Sequence, residues 1–201
     1  HPAFVPVLEM GEDRGIPFFV MPLLKGEDCA NLIKRLGPLP IPMVVDIARQ
    51  ATAALDAIHA NGLIHRDIKP GNIMLTTDND VRIIDFGIAI LKDSDISRIE
   101  GIAGSPCYMS PEQIQCQKLD GRTDIFSAGI IFYQFLTGQK PFEGTQFVLQ
   151  QKIVMEDPVW PSAIVQVPPC EPPSYGKVPP VAVAVGVAGV IVNAPLTGVT
   201  V

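Results

Sequence analysis

The chain has 201 residues, of which 47% are hydrophobic, and it carries a formal net charge of −6. This length allows about one to one and a half domains with a buried core, and the acidic charge argues against a general nucleic-acid-binding protein, which needs a basic face. The cysteines are irregularly spaced without a C-x-x-C pair, which favours reduced thiols over a zinc or redox site. Because no signal pattern is present and the chain begins with His1, we expect a segment of a longer protein.

The first part of the chain predicts a hairpin followed by two helices. Residues 3–9 and 17–22 alternate or run apolar on either side of a glycine-containing turn, which favours a β-hairpin-like pair. Residues 28–36 predict a short helix. Pro42 suits the first turn of a longer helix, whose apolar side chains recur at three- and four-residue steps until an Asn-Gly pair at 61–62 ends it.

The most informative stretch is His65-Arg66-Asp67-Ile68-Lys69-Pro70-Gly71-Asn72. The spacing of Asp67 and Asn72 suits phosphoryl transfer onto a hydroxyl, since the carboxylate can orient and deprotonate the hydroxyl while the amide oxygen holds magnesium against the phosphates. Lys69 lies between them and can reach the transferred phosphate. Asp85 follows an apolar, β-prone run and offers a second hard oxygen ligand. The plain alternatives are a charged surface loop, a turn residue at Asn72 and a helix cap at Asp85.

This octet and the later Asp85-Phe86-Gly87 resemble the catalytic and magnesium-binding loops of protein kinases. Residues 104–112 are similar to the end of a kinase activation segment, 124–136 to the buried central helix of the large lobe, and 18–24 to the last small-lobe strand and hinge. These pieces occur in the order found in the family. The resemblance implies an α+β, protein-kinase-like fold, mostly the helical large lobe with the hinge and last strands of the small lobe.

The composition changes near residue 157. Residues 144–155 predict one more amphipathic helix, after which prolines remove any helical periodicity. The apolar run at 181–192 contains glycines and is shorter than the roughly 20 residues that a membrane-spanning helix needs. We therefore expect a partial kinase domain at 1–157 and a Pro/Val-rich irregular tail at 158–201. An aggregation-susceptible β-prone patch and a truncated membrane anchor are the alternatives for the tail.

The resemblance implies a role for each site residue. Asp67 would be the base or hydroxyl-orienting group, Lys69 the phosphate-neutralising cation, and Ser105 a hydroxyl that bonds near both. Asn72 and Asp85 would hold Mg²⁺. The ATP site would be formed at the hinge and the pocket by Met21, Pro22, Leu24, Asp28 and Met74.

Other residues are expected to be structural. The family uses His65 and Phe86 as stacked members of an internal spine, and Asp124 to accept backbone N–H groups of the catalytic loop. Glu112 would pair with a buried Arg late in the large lobe, yet no Arg follows position 122, and a buried carboxylate without its partner is costly. For Asp28 a helix N-cap is an equally good explanation.

A regulatory site is also implied. Arg66, next to the catalytic Asp, is the kind of residue through which kinases bind a phosphorylated activation segment, because a guanidinium can bind two phosphate oxygens. Ser94 and Ser97 are the candidate acceptors. The alternative is a solvated loop with unmodified serines.

The sequence thus predicts a bacterial-type serine/threonine protein kinase that transfers the γ-phosphate of ATP to Ser or Thr hydroxyls of proteins, with ATP and Mg²⁺ as cofactors. Lys69, two residues after Asp67, is typical of the Ser/Thr class. We expect protein substrates, no nucleic acid, a cytoplasmic location and membrane attachment only through other segments. A pseudokinase or nucleotide-binding scaffold is one alternative. A small-molecule phosphotransferase of the aminoglycoside-kinase type is another, although it would not carry the Ser110-Pro111-Glu112 segment.

Two elements found in kinases do not occur in this sequence. Kinases cover the phosphates with a glycine-rich lid and pair a strand-borne Lys with a helix Glu. No G-x-G occurs here, and no Lys precedes Lys25. We therefore expect a kinase core without its two ends, weakly active or inactive as an isolated chain.

Overall fold

A computed structural model of the chain describes residues 1–85 and 106–161. The strands are β1 (Glu9–Asp13), β2 (Ile16–Val20), β3 (Gly26–Asp28), β4 (Ile73–Thr76) and β5 (Val81–Ile83). The helices are α1 (Cys29–Leu36), α2 (Ile41–His59), α3 (Pro111–Ile114), α4 (Arg122–Thr137) and α5 (Gln146–Met155). Short 3-10 turns occur at Pro70–Asn72 and Pro106–Tyr108.

The predicted hairpin is present, but its first strand is β1 at 9–13 rather than 3–9. β1 and β2 are antiparallel, with Glu9 opposite Val20. Residues 3–5 are instead used beside β5, where the Val5 N–H donates to the Ile83 carbonyl at 3.1 Å. The apolar character of that stretch therefore reflects a different partner strand, which local alternation does not identify.

A second sheet has the order β3-β4-β5 with antiparallel pairs. Its register places Asp28 opposite Met74 and Ile73 opposite Ile83. One residue beyond that pair, the Ile84 N–H donates to the Asn72 carbonyl at 3.0 Å. This sheet therefore holds the start of α1, the end of the octet and Asp85 close together.

Helices α2 and α4 form the centre of the core. The α2 face predicted from sequence is buried, and the α4 residues Ile131 and Phe135 are fully enclosed, both 0% exposed. Burial of each such side chain contributes roughly 1.5–3 kcal/mol. Helices α4 and α5 each begin two residues from their predicted starts, within ordinary variation of helix boundaries. The octet follows the C-terminal end of α2 in the chain, so the packed helices α2 and α4 support it.

Helix α1 starts at a side-chain cap. Asp28 Oδ1 accepts the Asn31 N–H at 2.9 Å, and Gly37 ends the helix with φ 73°. Among the described helices, none combines the length and apolar character needed to cross a membrane.

Candidate active site

The structure brings together three of the predicted catalytic and metal-binding residues. Lys69 Nζ lies 2.8 Å from Asp67 Oδ2. Asn72 Nδ2 donates to the Asp67 carbonyl at 2.8 Å and to Oδ2 at 3.2 Å. The Asp67 and Lys69 side chains keep 23% and 30% of their surface exposed, so a substrate could reach both. The loop therefore presents a carboxylate, held in one orientation by two donors, to solvent.

Asn72 and Asp85 are the two predicted metal-binding residues, and each side chain offers an oxygen donor of the kind that a hard cation binds. The Asn72 amide nitrogen is committed to Asp67, so Oδ1 is the atom through which this side chain can bind a metal. Asp85 follows Ile84, whose N–H is bonded to Asn72, and its φ of 62° is left-handed. A non-glycine residue in that region costs about 1–3 kcal/mol, and such strain clusters at functional sites. These donors fit magnesium, which binds a few protein oxygens and takes its other ligands from phosphates and water.

Asp124, in the first turn of α4, anchors the octet from below. Its carboxylate is 0% exposed and accepts the backbone N–H groups of His65 and Arg66, each at 2.8 Å. His59 Nε2 lies 2.7 Å from Asp124 Oδ2. The backbone contact expected for Asp124 is present. The contact from His59 to Asp124 was not predicted. The one sequence feature that points to it is the position of His59 one turn after Leu55, on the apolar face of α2.

His65 is fully buried and bonded at both ring nitrogens. Its Nε2 lies 3.2 Å from the Ile84 carbonyl, and Nδ1 accepts the Asp67 N–H at 3.3 Å. This pattern assigns the neutral tautomer with the proton on Nε2. Burial lowers the pKa of His65, which keeps the ring neutral near pH 7. His65 thus links Asp67 to the end of β5 as an uncharged packing residue.

Glu112 differs from the expectation of a buried carboxylate that lacks a partner. It is half-buried, and its Oε1 accepts the Thr123 hydroxyl at 2.7 Å. Thr123 is itself fully buried. The predicted penalty is therefore reduced, because the carboxylate retains solvent contact and gains a neutral donor.

A cleft of about 630 Å³ lies beside the octet. Two predicted nucleotide-site residues, Asp28 and Met74, line it together with Gly71 and Ile84. The remaining lining residues are Gly26, Glu27, Asn31, Lys34 and Arg35. The cleft therefore extends from the start of α1 to Gly71 of the octet and to Ile84, the residue before Asp85.

The other three nucleotide-site candidates are not among the cleft-lining residues. Met21, Pro22 and Leu24 lie on the segment between β2 and β3. The Asp28 carboxylate is engaged in the α1 cap, with Oδ2 also 2.6 Å from Asn31 Nδ2. The N-cap explanation for Asp28 is thus confirmed, while its nucleotide-binding role stays a prediction, with the residue on the cleft wall.

Sequence patterns did not indicate the ion pair on the cleft wall. Arg35 NH2 lies 2.6 Å from Glu27 Oε2, and the hydrogen bond from Arg35 lowers the pKa of Glu27. Lys34 also lines the cleft, so this wall carries the cationic groups of Lys34 and Arg35 beside the carboxylates of Glu27 and Asp28. The pair joins residues eight positions apart on different elements, a contact that only the β3 to α1 turn creates.

Four predicted residues lie outside the described part of the chain, namely Phe86, Ser94, Ser97 and Ser105. Arg66 is described, and its backbone has φ 67°. Its N–H is bonded to Asp124, and its carbonyl accepts Gln113 Nε2 at 2.8 Å.

Comparisons with known proteins agree with this arrangement. A family model described as a protein kinase domain matches residues 1–171. The serine/threonine-protein kinase PknB of Mycobacterium leprae is 37% identical over 169 residues, covering 81% of this chain and 27% of that protein. PknB of Mycobacterium tuberculosis is 37% identical over 171 residues, with the same coverage of 81% and 27%. PknL of Mycobacterium tuberculosis is 36% identical over 170 residues, covering 83% of this chain and 43% of PknL.

The chain thus spans less than half the length of these curated relatives. Its match to the family nevertheless extends from the first strands through the octet to the large-lobe helices. The expected kinase-like α+β fold is confirmed, and the chain belongs to the protein kinase family.

Proposed function

We propose that the protein transfers the γ-phosphoryl group of ATP to Ser or Thr hydroxyls of protein substrates. The observation that carries this proposal is the partly exposed Asp67 carboxylate held between Lys69 and Asn72. The names of the mycobacterial relatives, all serine/threonine-protein kinases, support the choice of acceptor.

Asp67 is the group that orients the acceptor hydroxyl. Within the described residues, Oδ2 receives both donors, which leaves Oδ1 for the substrate. As the hydroxyl oxygen bonds to the γ-phosphorus, the bond from that phosphorus to the bridging oxygen of ADP breaks, and the hydroxyl proton passes to Asp67. Positioning of this kind and electrostatic stabilisation together supply most of the catalysis in phosphoryl transfer.

Lys69 neutralises charge beside the reacting atoms. Its ammonium is 2.8 Å from Asp67 and can turn toward a phosphate oxygen without leaving the loop. Asn72 Oδ1 and the Asp85 carboxylate would hold magnesium, which neutralises phosphate charge when it is bound. The cleft beside them, with Lys34 and Arg35 on its wall, accommodates the nucleotide.

We also propose a cytoplasmic location for this domain, since ATP is available there. In the described part of the chain Cys29, Cys107 and Cys116 are free thiols, which suits a reducing compartment. Any membrane attachment would come from segments other than those described.

The test of acceptor class uses protein expressed from its full coding sequence. We expect radiolabel from γ-labelled Mg-ATP to appear on Ser and Thr of a mixed peptide library, and Asp85→Asn to abolish it. Label on tyrosine, or on an aminoglycoside instead of a peptide, would contradict the proposal. Nucleotide binding with no transfer in the wild type would favour the pseudokinase alternative.

A further inference from the structure

Gln113 connects two separate segments through one side-chain amide. Its Oε1 accepts the Ser110 N–H at 2.9 Å, while its own N–H donates to Ser110 Oγ at 3.3 Å. This reciprocal pair is the capping box of α3. The other end of the amide, Nε2, donates to the Arg66 carbonyl at 2.8 Å, 47 residues earlier in the chain. A residue that closes a helix cap thus also reaches the residue before Asp67.

The contacted backbone is strained. Arg66 has φ 67°, a conformation that costs a non-glycine residue about 1–3 kcal/mol and persists only where the surroundings hold it. Asp124 holds the Arg66 N–H, and Gln113 holds the Arg66 carbonyl. That carbonyl belongs to the peptide group that joins Arg66 to Asp67, so its orientation helps to set the direction of the Asp67 side chain.

We propose that Gln113 is a positioning residue for phosphoryl transfer, which keeps the Arg66–Asp67 peptide, and through it the Asp67 carboxylate, in the productive orientation. This inference rests on the proposed function. Gln113 acts through the loop and does not touch the reacting atoms. It therefore affects kcat rather than ATP binding.

Gln113→Glu isolates the proposed contact. The introduced carboxylate keeps an oxygen for the Ser110 N–H, so the cap remains, but it removes the donor and places an acceptor opposite the Arg66 carbonyl. Gln113→Ala removes both contacts. Gln117→Ala is the matched control. Gln117 is exposed, and its side-chain amide donates to Gln115 Oε1 at 2.8 Å, two residues earlier in the chain.

In protein expressed from its full coding sequence, we expect Gln113→Glu to lower kcat about tenfold, with KM for ATP unchanged. Lowering the pH from about 8 to 5.5 protonates part of the introduced carboxyl and restores a donor, so the ratio of its kcat to the wild-type kcat should rise. The same ratio for Gln113→Ala should stay flat. A merely structural role for Gln113 would not produce this difference in pH dependence.

Hydrogen exchange supplies a readout that is independent of activity. The amides of residues 65–68 should exchange faster in Gln113→Glu than in the wild type and in Gln117→Ala. If the wild type is active and Gln113→Glu has an unchanged kcat, the positioning role is overturned whatever the exchange shows. If the wild type transfers no phosphate, the proposed function fails, and unchanged exchange in Gln113→Glu would then overturn the proposed hold on the loop as well.

Discussion

Replacing Asp124 with Asn should destabilise the fold although the two side chains have the same shape. The buried carboxylate accepts the N–H groups of His65 and Arg66 and contacts His59 Nε2. An amide offers one acceptor oxygen and one NH2 group. If the oxygen remains on Arg66, the NH2 group faces His65 and His59, which places a donor against the buried His65 N–H.

The magnitude follows from these contacts. His59 can exchange tautomers and accept from the new NH2 group, whereas the His65 N–H has no such option. One buried donor left unpaired costs about 1–3 kcal/mol, and the loss of charge from the remaining bonds adds about 1 kcal/mol. We therefore expect Asp124→Asn to lower the free energy of unfolding by about 2–4 kcal/mol, which corresponds to a Tm decrease of roughly 10 °C for a chain of this size.

Urea denaturation of the 201-residue chain, followed by circular dichroism, measures this loss. Asp56→Asn is the control, because Asp56 is exposed on α2 and should change the free energy by less than about 0.5 kcal/mol. If Asp124→Asn and Asp56→Asn unfold at the same urea concentration, the anchoring role of Asp124 is refuted.

Three further predictions concern titration, thiol chemistry and regulation. Burial lowers the pKa of His65 from 6.5, so the unfolded state binds its proton first as the pH falls. The contribution of neutral His65 to the free energy of unfolding is therefore fully present above pH 6.5 and is lost as the pH falls below it. His65→Asn should make the free energy of unfolding, measured by urea titration at several pH values, decline less at low pH. Burial also raises the pKa of the Cys29 thiol to about 12, so brief iodoacetamide treatment of native protein should label exposed Cys116 and spare Cys29, as peptide mass spectrometry can check. The full-length kinase should autophosphorylate on Ser94 or Ser97, and the double Ala variant should be slower; unmodified serines in active enzyme with unchanged rates would contradict this switch.

Local sequence patterns predicted most of the helices and the residues of the candidate site. The 3.6-residue periodicity of α2 predicted its buried face, and the octet singled out Asp67, Lys69 and Asn72, which the structure places in contact. These features succeed because their determinants lie within a few residues of each other. The predicted division at residue 157 stays a prediction.

Contacts between distant segments could not be predicted in the same way. The alternation at 3–9 was assigned to the hairpin, yet residues 3–5 lie against β5, a partner that is about 80 positions away by sequence number. The links from Gln113 to Arg66 and from His59 to Asp124 likewise depend on how the helices are placed. No local pattern carries that information.

If Asp67 orients and deprotonates the acceptor hydroxyl, its loss should abolish phosphoryl transfer without weakening nucleotide binding. In protein expressed from its full coding sequence, Asp67→Asn should bind Mg-ATP with near wild-type affinity by calorimetry, while its kcat for Ser/Thr peptides falls by at least about a thousandfold. Asp78→Asn, at an exposed position between β4 and β5, should leave both quantities unchanged. Wild-type turnover in Asp67→Asn would contradict the account.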